Sequence, residues 1–530
     1  MDPEKNKSEE KRTAADQPKL RRRDLLLGLS TLPVFGGFVY AWLQKRKFDD
    51  TKKQALLKEL GLKAEAPAIL PEGFLKRSNQ LIRLGIIGVG GRGEHLLRCA
   101  GFVRPDWVDI RRREAKLNPL NKDLEIFLGQ QDTNTVLTAV CDVFDPRAER
   151  GLVASRNVLR QGKIVGEKGA KRFRHYQELL NSPEVDAVII ATPDHWHAQM
   201  ALGAVAAGKH IYLEKCMTRT AEEAVKLYDA VKGSKIIFQL GHQQRQQESH
   251  LRARQIVQAG LLGKITLVET TTNRNSPDGA WQYEIPAEAS PENIDWEQFL
   301  GPAPWRPFDV YRFFRWRCWF DYGTGLSGDL LSHEYDAVNQ ILELGIPKYA
   351  VASGGIYFFR DGRDVPDVFH AAFEYPEKEL TLIYSATLGS NRNRGRIFMG
   401  HDAWMEVGES LTLSADPEST KYKELYLEQI IEPSLPFFSF RPGAKGIDAV
   451  TSASERYFAT RGLLYSYRGG KRVDITHLHL LEWLDCIRDG RQPSCHIERG
   501  FEEAITCHMA TESYRRGRRV EWDPVSRKII

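Results

Sequence analysis

The sequence predicts an α/β protein in two parts. The first is an N-terminal doubly wound parallel sheet; the second is a C-terminal α+β domain with a large, mostly antiparallel, open-faced sheet. Three observations carry this. Leu81-Ile-Arg-Leu-Gly-Ile-Ile87 stops abruptly in Gly88-x-Gly90-x-x-Gly93, and a helical pattern over 94–100 follows at once. From 136 to 240, apolar runs alternate with helical patterns, as the crossovers of a parallel sheet require. Beyond Gly241, β-branched segments succeed one another with few helices between them, which suits antiparallel strands.

The glycines have a physical task. Gly88 allows the tight turn, Gly90 and Gly91 let the backbone approach a pyrophosphate, and Gly93 allows close helix–strand packing. The following helix offers free N–H groups and the positive end of its dipole to the phosphates, with Arg92 in its first turn. The motif is weak alone, in a chain of 43 glycines, and gains its meaning from the strand before it and the helix after.

With 530 residues the chain has room for about two to four domains. A content of 42% hydrophobic and 27% charged residues argues a mostly globular protein. The net charge of +5 is small and partly in the N-terminal tail, so no nucleic-acid partner is expected. Seven cysteines with no C-x-x-C indicate neither a disulfide framework nor a zinc ribbon. Cys495-His496 and Cys507-His508 are adjacent pairs rather than spaced ligands, so no metal is expected.

Residues 1–20 read as a disordered tail. Arg21-Arg22-Arg23 then precede the apolar run 25–43, and Lys45-Arg46-Lys47 follow it. Paired arginines before a mildly hydrophobic stretch look like a twin-arginine export signal in 21–47, either removed or kept as a membrane anchor. The expected location is therefore periplasmic or extracytoplasmic, with the export machinery as a partner. Residues 48–80 read as a short helix and a linker, 81–241 as the dinucleotide-binding domain, and 242–530 as a substrate-binding and oligomerising domain.

After the first helix, 101–134 interrupts the alternation as an insertion that loops out. The strand 136–141 then ends in Asp142, a carboxylate placed to accept both ribose hydroxyls, which favours NAD over NADP. Helices near 145–159, 176–180, 197–207 and 221–231 alternate with strands 185–191, 210–213 and 236–240. Gln243, Gln244 and Arg245 follow the last of these strands, where strand ends open onto a substrate crevice. Strands are expected at 265–272, 350–358, 368–375, 380–388 and 403–407, and helices at 477–488 and 498–515.

The segment 327–344 reads as a helix closed by Gly345 and Pro347, with Asp329, His333, Asp336 and Gln340 along one polar stripe. A carboxylate one turn from an imidazole can fix its tautomer for general-base work. A solvated face, or Asp329 as a first-turn cap, is the competing reading. The stretch 305–322 packs nine aromatics and four arginines into eighteen positions. Aromatic faces suit the apolar side of a sugar ring, and arginines suit hydroxyls or an acidic sugar; Tyr322 is a substrate candidate there. Core packing and subunit contact compete with that use.

Several separated motifs resemble the Gfo/Idh/MocA oxidoreductases, over about four-fifths of the chain. They are Gly88-Val-Gly-Gly-Arg-Gly93, Ala191-Thr-Pro-Asp-His-Trp-His197, Glu214-Lys215, Gly241-His-Gln-Gln-Arg245, Asp295-Trp-Glu-Gln-Phe-Leu-Gly-Pro-Ala-Pro304, Gly328-Asp-Leu-Leu-Ser-His333 and Trp483-Leu-Asp-Cys-Ile-Arg-Asp-Gly490. The resemblance implies NAD(P)-dependent hydride transfer on a sugar, sugar derivative or cyclitol, in a homo-oligomer. It implies that Thr192, Pro193 and His197 line the nicotinamide side, with Glu214 near the cofactor. Lys215, His333 and Asp329 would be catalytic: His333 the base, Lys215 its electrostatic partner, and Asp329 the group that orients His333. Cys216 stands where the family's signature has proline, so the loop that aims Lys215 is expected to differ. Export would further require a tightly held cofactor returned to its starting state in each cycle. An NAD-dependent glycoside hydrolase working by transient oxidation, and a cofactor-holding binding protein, are the alternatives.

Overall fold

The computed structural model describes residues 80–156, 169–428, 430–431, 435–442, 465–468 and 471–530, with Tyr40, Lys58, Leu60 and Gly61. Its first sheet is six-stranded: β1 (Ile82–Ile87), β2 (Thr135–Cys141), β3 (Lys171–Phe173), β4 (Ala187–Ile190), β5 (His210–Leu213) and β6 (Phe238–Leu240). The spatial order is β3-β2-β1-β4-β5-β6, and every pairing is parallel. The chain leaves β1 for β2 on one side and returns to β4 on the other. The ends of β1 and β4 therefore part at a switch point, where such sheets open a ligand crevice.

All four residues of β4 are buried, as helices on both faces of a parallel sheet demand. One of the covering helices comes from near the C-terminus. Helix Ile475–Asp489 sends Leu480, Trp483 and Leu484 into the same core as Ile82, Leu84 and Leu137. The insertion 101–134 is not an irregular loop. It forms helices Pro105–Leu117 and Asp123–Leu128, whose Val108 and Phe127 make a small core of their own with Val103. The run Arg111-Arg-Arg-Glu-Ala-Lys116 hides this helix, because only Val108 of its first helix is buried and the apolar stripe is too narrow to read.

The second sheet has ten strands: β7 (Ile265–Asn273), β8 (Tyr349–Gly355), β9 (Val368–Tyr375), β10 (Leu380–Thr387), β11 (Arg396–Gly400), β12 (Ala403–Val407), β13 (Leu411–Ala415), β14 (Phe438–Phe440), β17 (Val520–Asp523) and β18 (Lys528–Ile529). The hairpin β15 (Tyr465–Arg468) and β16 (Lys471–Asp474) stands apart from it. Within the large sheet only β7 and β10 run parallel. β9 and β10 alternate buried and more exposed residues along their length, so one face is packed and the other open. Helices Ser332–Leu342 and Ile497–Arg516 pack on strands of this sheet, and the second also touches β6 of the first.

The expectation of membrane anchoring is corrected. Among the described residues no helix is long and apolar enough to cross a membrane. The twin-arginine stretch and the run 25–43, Tyr40 apart, lie outside the described residues, as do most of the expected short helix and the linker at 48–80. The anchor, and the extracytoplasmic placement drawn from that stretch, are not carried forward.

Candidate active site

The glycine loop closes the end of β1. Gly88 has φ +89°, and a Cβ there would lie 2.6 Å from the Ala191 carbonyl oxygen; one at Gly93 would lie 2.1 Å from the Gly88 oxygen. The next helix, Gly91–Cys99, has no side chain capping its N-terminus. Its first N–H groups are therefore left for a ligand. A cavity of about 470 Å³ opens from this loop, lined by Gly88, Gly90, Gly91, Arg92, Asp142, Thr192 and Pro193. The same wall continues to Glu214, Lys215, Tyr283, Trp316 and Arg317. A turn with no room for side chains, an uncapped helix start and a long cavity fit a dinucleotide.

Asp142 has a structural task first. Its Oδ2 accepts the Val89 N–H at 2.6 Å and its Oδ1 accepts the Phe144 N–H at 2.9 Å, which ties the glycine loop to the end of β2. The residue also lines the cavity. Beside it Arg147 rests on the rings of Phe313 and Phe314, at 5.4 and 5.0 Å from their centres, and also lines the cavity. Those two phenylalanines belong to the segment 293–317, which reaches over from the second half of the chain. It is stitched to the loop after β2 by hydrogen bonds from Asp145 N to Asn293 O and from Asp295 N to Val143 O.

Arg92 organises the middle of the cavity. Its Nε donates to Glu214 Oε1 at 2.7 Å and its Nη2 to Gln243 Oε1 at 3.1 Å. Its Nη1 reaches His95 Nδ1 at 3.2 Å, and His95 Nε2 meets Asp474 Oδ2 at 2.8 Å. Cys99 lies near this pair, so His95, Cys99 and Asp474 have ligand atoms within 4.8 Å of one another. The arginine on one side of His95 and the direct hydrogen bond on the other make the group a strut behind the glycine helix.

At the far end the centre is Asp329, which follows from a local departure in the helix. Ser327–Leu331 is a π-helical turn, and the α-helix Ser332–Leu342 begins only after it. Such turns concentrate at functional sites. Asp329 Oδ1 accepts Lys215 Nζ at 2.5 Å and Arg317 Nε at 2.9 Å; Oδ2 accepts Trp281 Nε1 at 3.1 Å. Lys215 Nζ also donates to the Asp329 carbonyl at 2.9 Å. Burial alone would raise the Asp329 carboxyl, but Lys215, Arg317 and Arg274 outweigh it and hold it well below the usual carboxylate range. The Lys215–Cys216 peptide is cis, although its second residue is not proline.

The role of Asp329 is thereby corrected: its carboxylate fixes Lys215, not His333. His333 is half-buried, does not line the cavity, and its Nδ1 is buried without a partner. Burial first, then the charges of Lys215 and His242, hold its pKa well below the ordinary value. The polar stripe also divides. Asp336 holds Arg245 through three hydrogen bonds, and Gln340 Nε2 donates to the Arg245 carbonyl.

Several other expected site residues stand elsewhere. His197 is fully buried, with Nδ1 on the Cys216 carbonyl at 2.6 Å and Nε2 on the Thr192 carbonyl at 2.8 Å. It braces the two loops that meet the cofactor cavity instead of lining it. Arg245 is locked on Asp336 and the Ser494 carbonyl, and Gln244 accepts Arg396. Gln243 serves Arg92, and Tyr322 packs in the core against His195 and Phe299. None of these four substrate candidates lines the cavity: the turn Gln243–Gln246 is mostly buried, and Tyr322 lies in the core. Trp281 and Tyr283, which the sequence did not single out, come in with the loop after β7. Arg317 and Trp316 were visible only as members of a crowded aromatic stretch.

Comparison with known proteins places this arrangement among relatives. A family model described as "Oxidoreductase family, NAD-binding Rossmann fold" matches residues 124–242. A second, "Oxidoreductase family, C-terminal alpha/beta domain", matches 248–346. Levoglucosan dehydrogenase of Pseudarthrobacter phenanthrenivorans is 29% identical over 203 residues, 36% of this chain and 46% of that protein. The scyllo-inositol 2-dehydrogenase (NADP(+)) of Bacillus subtilis is 25% identical over 240 residues, 45% of this chain and 56% of that protein. The matched stretches thus span about half the length of these curated relatives. Among solved structures, levoglucosan dehydrogenase in complex with NADH shares the fold, with a TM-score of 0.53 at 17% identity over 83% of this chain and 99% of that one.

Proposed function

We propose that this chain, two stretches of which match models of the Gfo/Idh/MocA oxidoreductase family, is an NAD-dependent dehydrogenase of a sugar, sugar derivative or cyclitol. One observation carries the reading: a single cavity runs from an uncapped glycine-loop helix to a lysine clamped on a buried carboxylate. The division into a dinucleotide-binding part, 81–241, and a substrate-binding part, 242–530, is part of the same reading.

NAD supplies the hydride acceptor when bound. Gly88, Gly90, Gly91 and Arg92 would hold its pyrophosphate, with Gly93 beneath them keeping the helix close. Asp142 serves the adenosine ribose, and Thr192 and Pro193 the nicotinamide end, with Glu214 holding Arg92 in place. Lys215 spends two of its three N–H donors on Asp329, which leaves one for the substrate oxygen as negative charge develops there. By the motif it matches, His333 would take the hydroxyl proton; it sits off the cavity lining and would reach the substrate only by turning its side chain, and burial with the neighbouring Lys215 charge keeps its ring neutral and so able to accept.

The test uses the purified full chain. Denaturation should release NAD(H), or added NAD should bind; sugars and cyclitols are then offered while the absorbance of reduced nicotinamide is followed. Reduction of NAD by one of them supports the reading. Release of a chromophore from a glycoside without net reduction would favour the hydrolase alternative, and bound cofactor with neither activity the binding protein.

A further inference from the structure

Resting on the dehydrogenase reading above, we propose that the substrate carries a carboxylate, as a uronate-type acidic sugar does, and that Arg317 receives it. Arg317 uses one donor within the protein, Nε–H to Asp329 Oδ1 at 2.9 Å. Among the described residues Nη1 and Nη2 have no hydrogen-bond partner, and neither is sealed in the interior. The guanidinium carbon lies 4.1 Å from the centre of the Trp316 ring, so the plane of the group is set before a ligand arrives. Arg317, Trp316 and Lys215 all line the cavity. A planar fork anchored at Nε, stacked on one face and open at both ends, matches the two oxygens of a carboxylate in parallel.

The charges around it point the same way. Lys215 and Arg317 share the single negative charge of Asp329, and Arg274 also acts on that carboxylate. This leaves the wall with surplus positive charge. Of the other acids nearby, Asp194 is buried, accepts from Thr324 and acts on both Lys215 and Arg317, so with Arg274 three cations face two carboxylates. Glu284 lines the cavity but is exposed, and no ion pair joins it to Arg317. A neutral polyol would meet the fork with separate hydroxyls and leave the surplus charge uncompensated. The pyrophosphate cannot be the intended partner, because its cradle is at Gly90–Arg92, whereas Arg317 is tied to the group that holds Lys215.

The test titrates the NAD-loaded protein with D-glucuronate, D-galacturonate and D-mannuronate, their methyl esters, the matching hexoses and hexose 6-phosphates, following heat. At least one uronate should bind about tenfold or more tighter than its ester and its hexose. Arg317→Met should erase that preference and Arg317→Lys keep part of it, with NAD affinity changed by less than about twofold in both. Equal binding of acid and ester overturns the inference, as does tighter binding of the phosphate, no uronate binding, or a preference that survives Arg317→Met. Should Arg317→Met fail to fold, the acid–ester comparison in the unaltered chain decides by itself. Failure to bind NAD would overturn the dehydrogenase reading as well; NAD binding without acid preference removes this inference alone.

Discussion

The two ends of the cavity are built on opposite plans. The nucleotide end is assembled from neighbours: Gly88, Gly90, Gly91 and Arg92 follow one another, and the strand that delivers them also fixes their direction. The substrate end is assembled from strangers. Lys215, Trp281 and Arg317 converge from three separate segments on the carboxylate of Asp329. The first plan binds through backbone groups, which side-chain changes leave in place unless the new atoms crowd the turn, as at Gly88 and Gly93. The second depends on a balance of buried charges, so single substitutions there should be felt most.

Asp329→Ala is expected to be the most damaging, because it leaves Lys215 and Arg317 buried without their shared anion. Removing one partner of a buried pair costs about 3–5 kcal/mol, which chemical denaturation would measure. A loss under about 1 kcal/mol would mean that water already serves both cations. Lys215→Ala should then lower kcat about 10²- to 10³-fold while NAD remains bound, if its electrostatic role resembles that of an oxyanion donor. Near-normal turnover in that variant would remove Lys215 from the mechanism.

Acid should weaken the packing behind the substrate end. His195, held against Tyr322 and Phe299, and His508, on Thr218, are both pushed by burial down to about 4. Their folded values lie below the unfolded value near 6.5, so the unfolded chain binds more protons between those two pH values. Stability should therefore fall as pH drops through that window, by about 3 kcal/mol for each histidine, and stop falling from this cause below pH 4. Denaturation midpoints in His508→Gln, measured from neutral pH to pH 4, should show a shallower slope than the unaltered chain.

The smallest effect belongs to the nucleotide end. Gly93→Ala forces a Cβ to within 2.1 Å of the Gly88 oxygen, so the loop must shift. Overpacking of this kind costs about 1–3 kcal/mol. We expect NAD affinity to fall about tenfold or more, with the residual turnover at saturating cofactor nearly unchanged. A large loss of kcat instead would show that the two ends are mechanically coupled.

Legibility followed the same division. Strands β2, β4 and β5 were readable because buried parallel strands are short apolar runs, and Gly88 to Gly93 because its constraints are local. Helix Pro105–Leu117 was not, since its charged surface conceals a single buried valine. Asp329 and His333 were legible as one helical stripe, but the π-helical turn Ser327–Leu331 and the approach of Lys215 and Arg317 assigned the carboxylate to cations. Gln243, Gln244 and Arg245 were placed correctly at a strand end and wrongly in the crevice, because Arg92, Arg396 and Asp336 claim them.

From the sequence alone came the alternating strands and helices, the turn that exposes backbone N–H groups, and the family of motifs that contains Lys215. These depend on backbone sterics and on burial patterns along the chain, which are local. Only the tertiary structure decided which cation meets which carboxylate, and that Arg317 keeps a free fork facing the cavity. Such pairings can join residues more than a hundred positions apart, as Lys215 and Asp329 are, and the spacing of residues along a chain carries no record of them.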